Sequence, residues 1–403
     1  VVAEARVAPD RAHEPERDHG HDDDRLDVAA ERHREQAVDH QEREHEAAAE
    51  RGERLLLLAL RPGQAAAERD EARQRVGLAL DVIGEPRQRE PAQHRVGVGP
   101  AQAETTRGLA DTLIRRLRDR FAPGGFLHYG QGKWYPGESL PRWTFSLYWR
   151  RDGVPIWHNS ALIADEQEDY GADGVMAGRF LASVAERLKL PARFVFPAFE
   201  DNFYYLWREG ALPQNVTAQD PRLSDDLERE RLRKVFSQGL DKVIGQVLPL
   251  ARTAANDRWQ SGRWYLRDNH CRLVPGDSPL GYRLPLASQP WVTAAEYPFI
   301  HPTDPNQDQP ELPTAAQLRS HGEPAPDDER VPKVDESADW LTRTALCAEA
   351  REGRLYLFMP PLERIEDYLE LVTAIEATAE ELHCAVLLEG YEPPADTRLS
   401  NFR

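Results

Sequence analysis

Cysteine, long apolar runs and an excess of positive charge are all scarce in this chain of 403 residues, and each shortage removes a class of function. The three cysteines, Cys271, Cys347 and Cys384, are an odd set without the short spacings of a metal site. A disulfide framework is therefore not expected, and the set suits a reducing, cytoplasmic setting. The apolar run "LLLLAL" at 55–60 falls far short of the roughly 20 residues a membrane span needs. The N-terminus also lacks the charged, apolar and small-residue succession of a signal peptide. Lys and Arg number 51 against 69 Asp and Glu, a formal net charge of -18. Neutralising a phosphate backbone needs clustered cations, so neither nucleic acid nor membrane is expected as a partner.

A deeper shortage marks the first quarter of the chain. From Val1 to Glu104 there is no Ser, Thr, Lys, Asn, Phe, Tyr, Trp, Met or Cys, and such a set cannot build a packed core. Apart from Ile83, every residue there has codons that can begin with G or C. That pattern arises when a GC-rich gene is read in a shifted frame or from the opposite strand. The alternative is a genuine solvated arm rich in Arg, Glu and His. On either account residues 1–104 are expected to be a low-complexity, unpacked segment.

From Thr105 onward the sequence has the periodicities of an ordinary folded protein. Leu109, Leu113, Leu117 and Phe121 recur at steps of four in "RGLADTLIRRLRDRFAPGG", which predicts an amphipathic helix stopped at Pro123. "WTFSLYWRRDGVPIWH" reads as two strands joined by Arg-Asp-Gly. A helix over about 175–189, a charged helix from Ser224 to about Leu240, and a further hairpin in "RWYLRDNHCRLVPGDSPLGYRLPL" follow. Residues 301–339 are rich in Pro, Asp and Gln and read as a linker or long surface loop. Next, "RTALCAEAREGRLYLFMPP" gives two strands. Leu362, Ile365, Leu369, Val372, Ile375, Ala379 and Leu382 then mark a helix. "CAVLLEGY" gives a strand buried on both faces. The predicted class is α/β, with mixed, largely antiparallel sheets and packed helices.

Several residue sets could carry chemistry. In "HYGQGKWYPGE" at 128–138, Gly130, Gly132 and Lys133 suggest either a phosphate cradle or a turn between aromatic strands. A Walker-type loop would need Gly at 127 and Ser or Thr at 134, where Leu127 and Trp134 stand. Glu349 on one strand and Glu389 at the end of another could present two carboxylates to one cleft, the oxygen pair a hard cation requires. Alternatively, Glu349 is an ordinary solvent-facing strand residue. A Cys/His nucleophile is disfavoured, because neighbours such as His383 and Cys384 would point to opposite faces of a strand.

The stretches "RRLRDRFAPGGFLHYGQGKWYPGESLPRW", "FPAFEDNFYYLWREGALPQNV", "PGDSPLGYRLPL", "RTALCAEAREGRLYLFMPPLERIEDYLELV" and "LLEGYEPPADTRL" resemble the amidoligase family over residues 109–399. That family is the region found at the C-terminus of large bacterial transglutaminase-like proteins. The resemblance implies a glutamine-synthetase-like carboxylate–amine ligase. In such an enzyme ATP phosphorylates a carboxylate, magnesium held by acidic side chains neutralises the transferred group, and an amine displaces phosphate to leave an amide. It also implies that Glu349 and Glu389 bind metal and that Lys133 and Arg351 contact nucleotide or carboxylate. The expected partners are peptide or small-molecule carboxylate and amine substrates, and transglutaminase-like domains of the same or a neighbouring gene product.

On this reading residues 105–300 form the N-terminal α/β region, 301–339 the linker, and 340–403 a hairpin-helix-strand that begins the ligase core. In the family the chain continues past "DTRLSNFR" into another acidic strand and a glycine-rich, histidine-bearing stretch. The resemblance thus implies a truncated, inactive fragment whose last strand leaves an open apolar edge. The alternative is a noncatalytic module whose aromatic surface binds peptide or cell-wall material.

Overall fold

The computed structural model describes residues 100–131, 143–217, 220, 226–253, 258–294, 296–297, 309–318 and 329–403. All of them fall in the compact unit Arg95–Arg403. The chain enters as α1 (Pro100–Phe121), β1 (Phe126–Gln131) and β2 (Trp143–Arg150), followed by α2 (Gly174–Arg187), β3 (Phe196–Glu200) and α3 (Asn202–Gly210). It continues through α4 (Asp226–Gln238), β4 (Val243–Pro249), β5 (Ala251–Thr253), β6 (Arg258–Gln260), β7 (Cys271–Leu273) and α5 (Ala315–Leu318). The C-terminal part is β8 (Ala345–Arg351), β9 (Arg354–Met359), α6 (Ile365–Leu382), β10 (Val386–Gly390) and β11 (Leu399–Phe402).

This is an α/β fold with mixed sheets. A six-stranded sheet runs in the order β10-β9-β8-β4-β3-β7, parallel at its two outer pairs and antiparallel within. An antiparallel sheet, β1-β2-β11, and the β5-β6 hairpin complete it. Strands β9 and β10 are parallel, so a crossover must join them, and α6 is that crossover. Its Ile365, Leu369, Val372, Ile375 and Ala379 are buried, as their steps of three and four require. Helix α2, capped where the Asp173 side chain accepts from the Met176 amide at 2.8 Å, buries Ala177, Phe180, Leu181 and Val184 beside it.

Both helices share one hydrophobic core with Leu346, Ala348, Leu357 and Leu388. Cys347, Val247, Phe358 and Leu280 belong to a separate cluster with Trp264 and Leu273. Strand alternation accounts for the split, since Cys347 lies between Leu346 and Ala348 on β8. One face of the sheet is covered by helices and the other by irregular chain from the 264–284 region. No helix among the described residues is long and apolar enough to cross a membrane.

Several local expectations fail for identifiable reasons. Helix α1 forms, but Leu109 is 67% exposed and Leu113 48%, while Asp111, Ile114 and Arg118 are buried. The turned-in face is held by polar bonds. Tyr129 Oη donates to Asp111 at 2.5 Å, and Arg115 donates to Tyr129 Oη at 2.7 Å and to the Ala164 carbonyl at 2.5 Å. Only the first strand of the Arg-Asp-Gly hairpin exists. The amides of Ile156 and Trp157 donate to the Gly124 carbonyl and leave no ladder for a second. The hairpin expected around Cys271 is likewise a lone strand, β7, parallel to β3.

Strand β10 does not expose an open apolar edge. Its residues are buried throughout, and the Ala164 amide donates to the Val386 carbonyl at 3.0 Å. Part of the Pro-rich stretch also packs, because Leu312 and Leu318 are buried and the Leu312 carbonyl accepts from Arg150 at 2.9 Å. Strands on either side of that stretch pair directly, β4 with β8.

Candidate functional site

On β8, Cys347, Glu349 and Arg351 stand at steps of two and share a face. The register pairs Glu349 with Tyr356, and pairs Phe358 with both Cys347 and Glu389. Glu389 therefore lies on the same face two strands away. A guanidinium bridges the interval: Arg351 Nη2 donates to Glu389 Oε2 at 2.6 Å, and its Nε lies 3.8 Å from Glu349 Oε2. The Arg351 carbon Cζ sits 3.6 Å from the centroid of the Tyr356 ring, a cation–π contact that fixes the side chain across the sheet. Lys133, the fourth residue singled out from the sequence, lies outside the described residues.

The pair is electrostatically loaded. Glu389 is 4% exposed, and its Oε1 meets no hydrogen-bond donor among the described residues. Burial lifts its carboxyl above the usual range, Arg351 pulls it back, Glu349 adds to the rise and Arg107 opposes it. Burial works against the charge on Arg351, but Glu389 and Glu349 together hold it above its ordinary value. A buried carboxylate oxygen without a donor carries an uncompensated desolvation cost, which a cation or a hydrogen-bonding ligand would remove.

The cover over this face is pinned to it. The Leu280 amide donates to Glu349 Oε2 at 3.2 Å. At the next residue a Cβ on Gly281 would lie 2.0 Å from the Phe358 ring, so only glycine allows the chain this close. Tyr282 then meets Phe358 edge-on at 4.7 Å, and Arg283 pairs with buried Glu200. Across Phe358 stands Tyr391, 6.1 Å away. It follows Gly390, whose φ of +93° and 2.8 Å approach to the Met359 backbone leave no room for a side chain. Arg107 of α1, which makes a bidentate pair with Glu166 at 2.6 Å on each arm, is the second cation acting on Glu389.

A second polar group begins three residues beyond Glu389. Glu392 Oε1 accepts from Ser146 Oγ at 3.0 Å, and its Oε2 lies 2.7 Å from Arg403 Nη2. His128, paired with Ser146 across β1 and β2, is 1% exposed. Among the described residues neither of its ring nitrogens finds a partner of full hydrogen-bond geometry, although Glu392 and a backbone contact at Gly390 act on the ring. Burial pushes its imidazole down to about 4, so it is neutral at pH 7.

Residues 65–403 match the family described as "putative amidoligase enzyme". The chain belongs to that family. The match begins inside the compositionally restricted N-terminal segment, well before the resemblance at residue 109. Comparison with curated proteins and with solved structures found no match.

Glu349, Arg351 and Glu389 thus meet on one face, while Arg107, Glu166, Tyr356 and the His128–Glu392 group were missed in the sequence. Arg107 and Glu166 are 59 residues apart, and no spacing rule links them. "EGYE" at 389–392 did carry a signal, since two acidic residues flank a glycine at the end of a buried strand. All three cysteines are buried, and burial pushes the Cys271 thiol up to about 12, which suits packing and not nucleophilic catalysis.

Proposed function

We propose that this member of the amidoligase family is an ATP-dependent carboxylate–amine ligase whose phosphoryl-transfer centre is the Glu349–Arg351–Glu389 face. The observation that carries the reading is the buried Oε1 of Glu389, which meets no donor among the described residues, beside a second carboxylate and a fixed guanidinium. Among the described residues no group of three or more His, Cys, Asp and Glu could by itself hold a metal ion. Magnesium does not require one, because it is commonly held by one or two carboxylates together with substrate phosphates. Glu349 and Glu389 fit that role, and the bound ion would supply charge neutralisation on the transferred phosphoryl group.

Arg351 would then exchange its contact with Glu389 for the phosphoryl oxygens, a move its fork of donors suits. The strap at Leu280–Arg283 would keep water from the activated carboxylate. A glutamine-synthetase-like ancestry, and transglutaminase-like domains as neighbours, belong to the same proposal.

The test is magnesium-dependent ATP binding followed by thermal midpoint and calorimetry. Wild type is stabilised by the nucleotide with magnesium, and Glu389→Gln loses that stabilisation while remaining folded. A noncatalytic binding module, favoured by half-exposed aromatics such as Tyr282 and Tyr391 on the same face, gains no nucleotide-dependent stability in either form.

A further inference from the structure

We propose that Glu392, Tyr148, Ser146 and His128 form a binding subsite for a protonated primary amine. This rests on the ligase reading only for the use to which the amine is put. The group already holds one cationic N–H donor. Arg403 Nη2 lies 2.7 Å from Glu392 Oε2 and 3.4 Å from Tyr148 Oη. The Arg403 side chain is 54% exposed, so water can replace it at low cost, whereas the acceptors beneath are fixed. Ser146 is fully buried and donates to Glu392 Oε1, which sets the direction of the carboxylate.

His128 supplies the second observation, because among the described residues its buried ring nitrogens find no partner of full hydrogen-bond geometry, only a backbone contact at Gly390. Being neutral, the imidazole can accept an N–H instead of repelling a cation. An ammonium group carries three donors, and a carboxylate, a phenolic oxygen and an imidazole nitrogen are three acceptors of the kind it needs.

Position supports the assignment. Glu389 and Glu392 are separated by two residues, and after burial and Tyr391 the charges of both add to the rise of the Tyr282 phenol, so the carboxylates share one neighbourhood. An amine held here would lie beside a carboxylate activated at Glu389, as amide formation requires.

The experiment uses the full chain with imidazole-labelled histidine, the His128 signals being identified by their loss in His128→Phe. Methylammonium chloride is titrated against tetramethylammonium chloride and sodium acetate at matched ionic strength, with magnesium-dependent ATP protection measured in the same samples. Methylammonium alone is expected to shift the His128 signals. Glu392→Gln is expected to weaken that effect about tenfold or more, since a hydrogen bond to a charged group is lost. Arg403→Ala is expected to strengthen it, because the resident competitor is gone. No shift, a shift with acetate, or weaker methylammonium binding in Arg403→Ala would overturn the subsite. Loss of ATP protection with the methylammonium shift intact overturns the ligase reading and leaves the subsite standing. ATP protection without the shift does the reverse.

Discussion

Acid should destabilise this protein in part through His128, and for that residue the loss can be worked out. Its imidazole is buried between β1, β2 and the chain after β10, and burial depresses its proton affinity from 6.5 to about 4. Glu392 opposes that shift and Arg403 reinforces it, so the charges around the ring partly cancel and desolvation decides. The unfolded chain takes up a proton at a pH where the folded chain does not. Stability is therefore complete above about pH 6.5 and falls as the pH drops toward 4. Integrating between those values gives a loss of about 2 kcal/mol at pH 5 and about 3 kcal/mol at pH 4.

Urea unfolding of wild type and His128→Phe between pH 7.5 and 4 isolates this group, because every other titration is common to both. The substitution keeps a ring at this buried position and breaks no well-formed hydrogen bond among the described residues. The two proteins should differ by less than about 1 kcal/mol at pH 7.5. The variant should then be the more stable by about 2 kcal/mol at pH 5. Parallel curves over the whole range would refute the reasoning and show that His128 is protonated or solvated in the folded chain.

Other perturbations follow from the same geometry. Arg351→Met leaves Glu389 buried without its counter-charge and should cost about 3 kcal/mol in urea unfolding, most of it recovered in the double variant with Glu389→Gln. Gly281→Ala drives a methyl group into the Phe358 ring and should lower stability by about 1–3 kcal/mol, with loss of the ordered Tyr282 contact by near-ultraviolet dichroism. On α1, Ile114→Ala should cost about 2–4 kcal/mol while Leu109→Ser changes stability by less than about 0.5 kcal/mol; equal costs would show that the helix faces the other way. A thiol reagent at pH 8 should modify none of the three cysteines until the chain unfolds.

The contrast between α1 and α6 shows what a sequence pattern can and cannot decide. In α6 the apolar steps, the crossover between parallel strands and the core all agree, so the periodic residues are the buried ones. In α1 the apolar stripe is real, yet the helix turns Asp111 and Arg115 inward. Tyr129 and the carbonyls of residues 163 and 164 accept or donate there, and those partners lie up to 49 residues away. Periodicity measures only how well a helix would bury apolar area. It has no term for a polar network assembled from distant chain, and such a network can outweigh a stripe of leucines when every member is satisfied.

The site divides along the same line. Glu349 and Glu389 were visible because a carboxylate breaks an apolar strand pattern, and strand alternation then says which face it takes. What strand spacing could not supply is the neighbour that gives each carboxylate its chemistry. Glu389 is set apart by the Arg351 fork reaching over Tyr356, and by an Oε1 that no donor among the described residues reaches. Glu349 is held by a backbone amide from a strap that Gly281 allows to lie flat on Phe358. His128 was hidden most deeply, since a histidine in an aromatic strand has no unusual spacing, and its burial appears only when the sheet it sits on closes against the end of β10. A group that departs from its local pattern can be found in the sequence, whereas a group made unusual by what fails to contact it requires the fold.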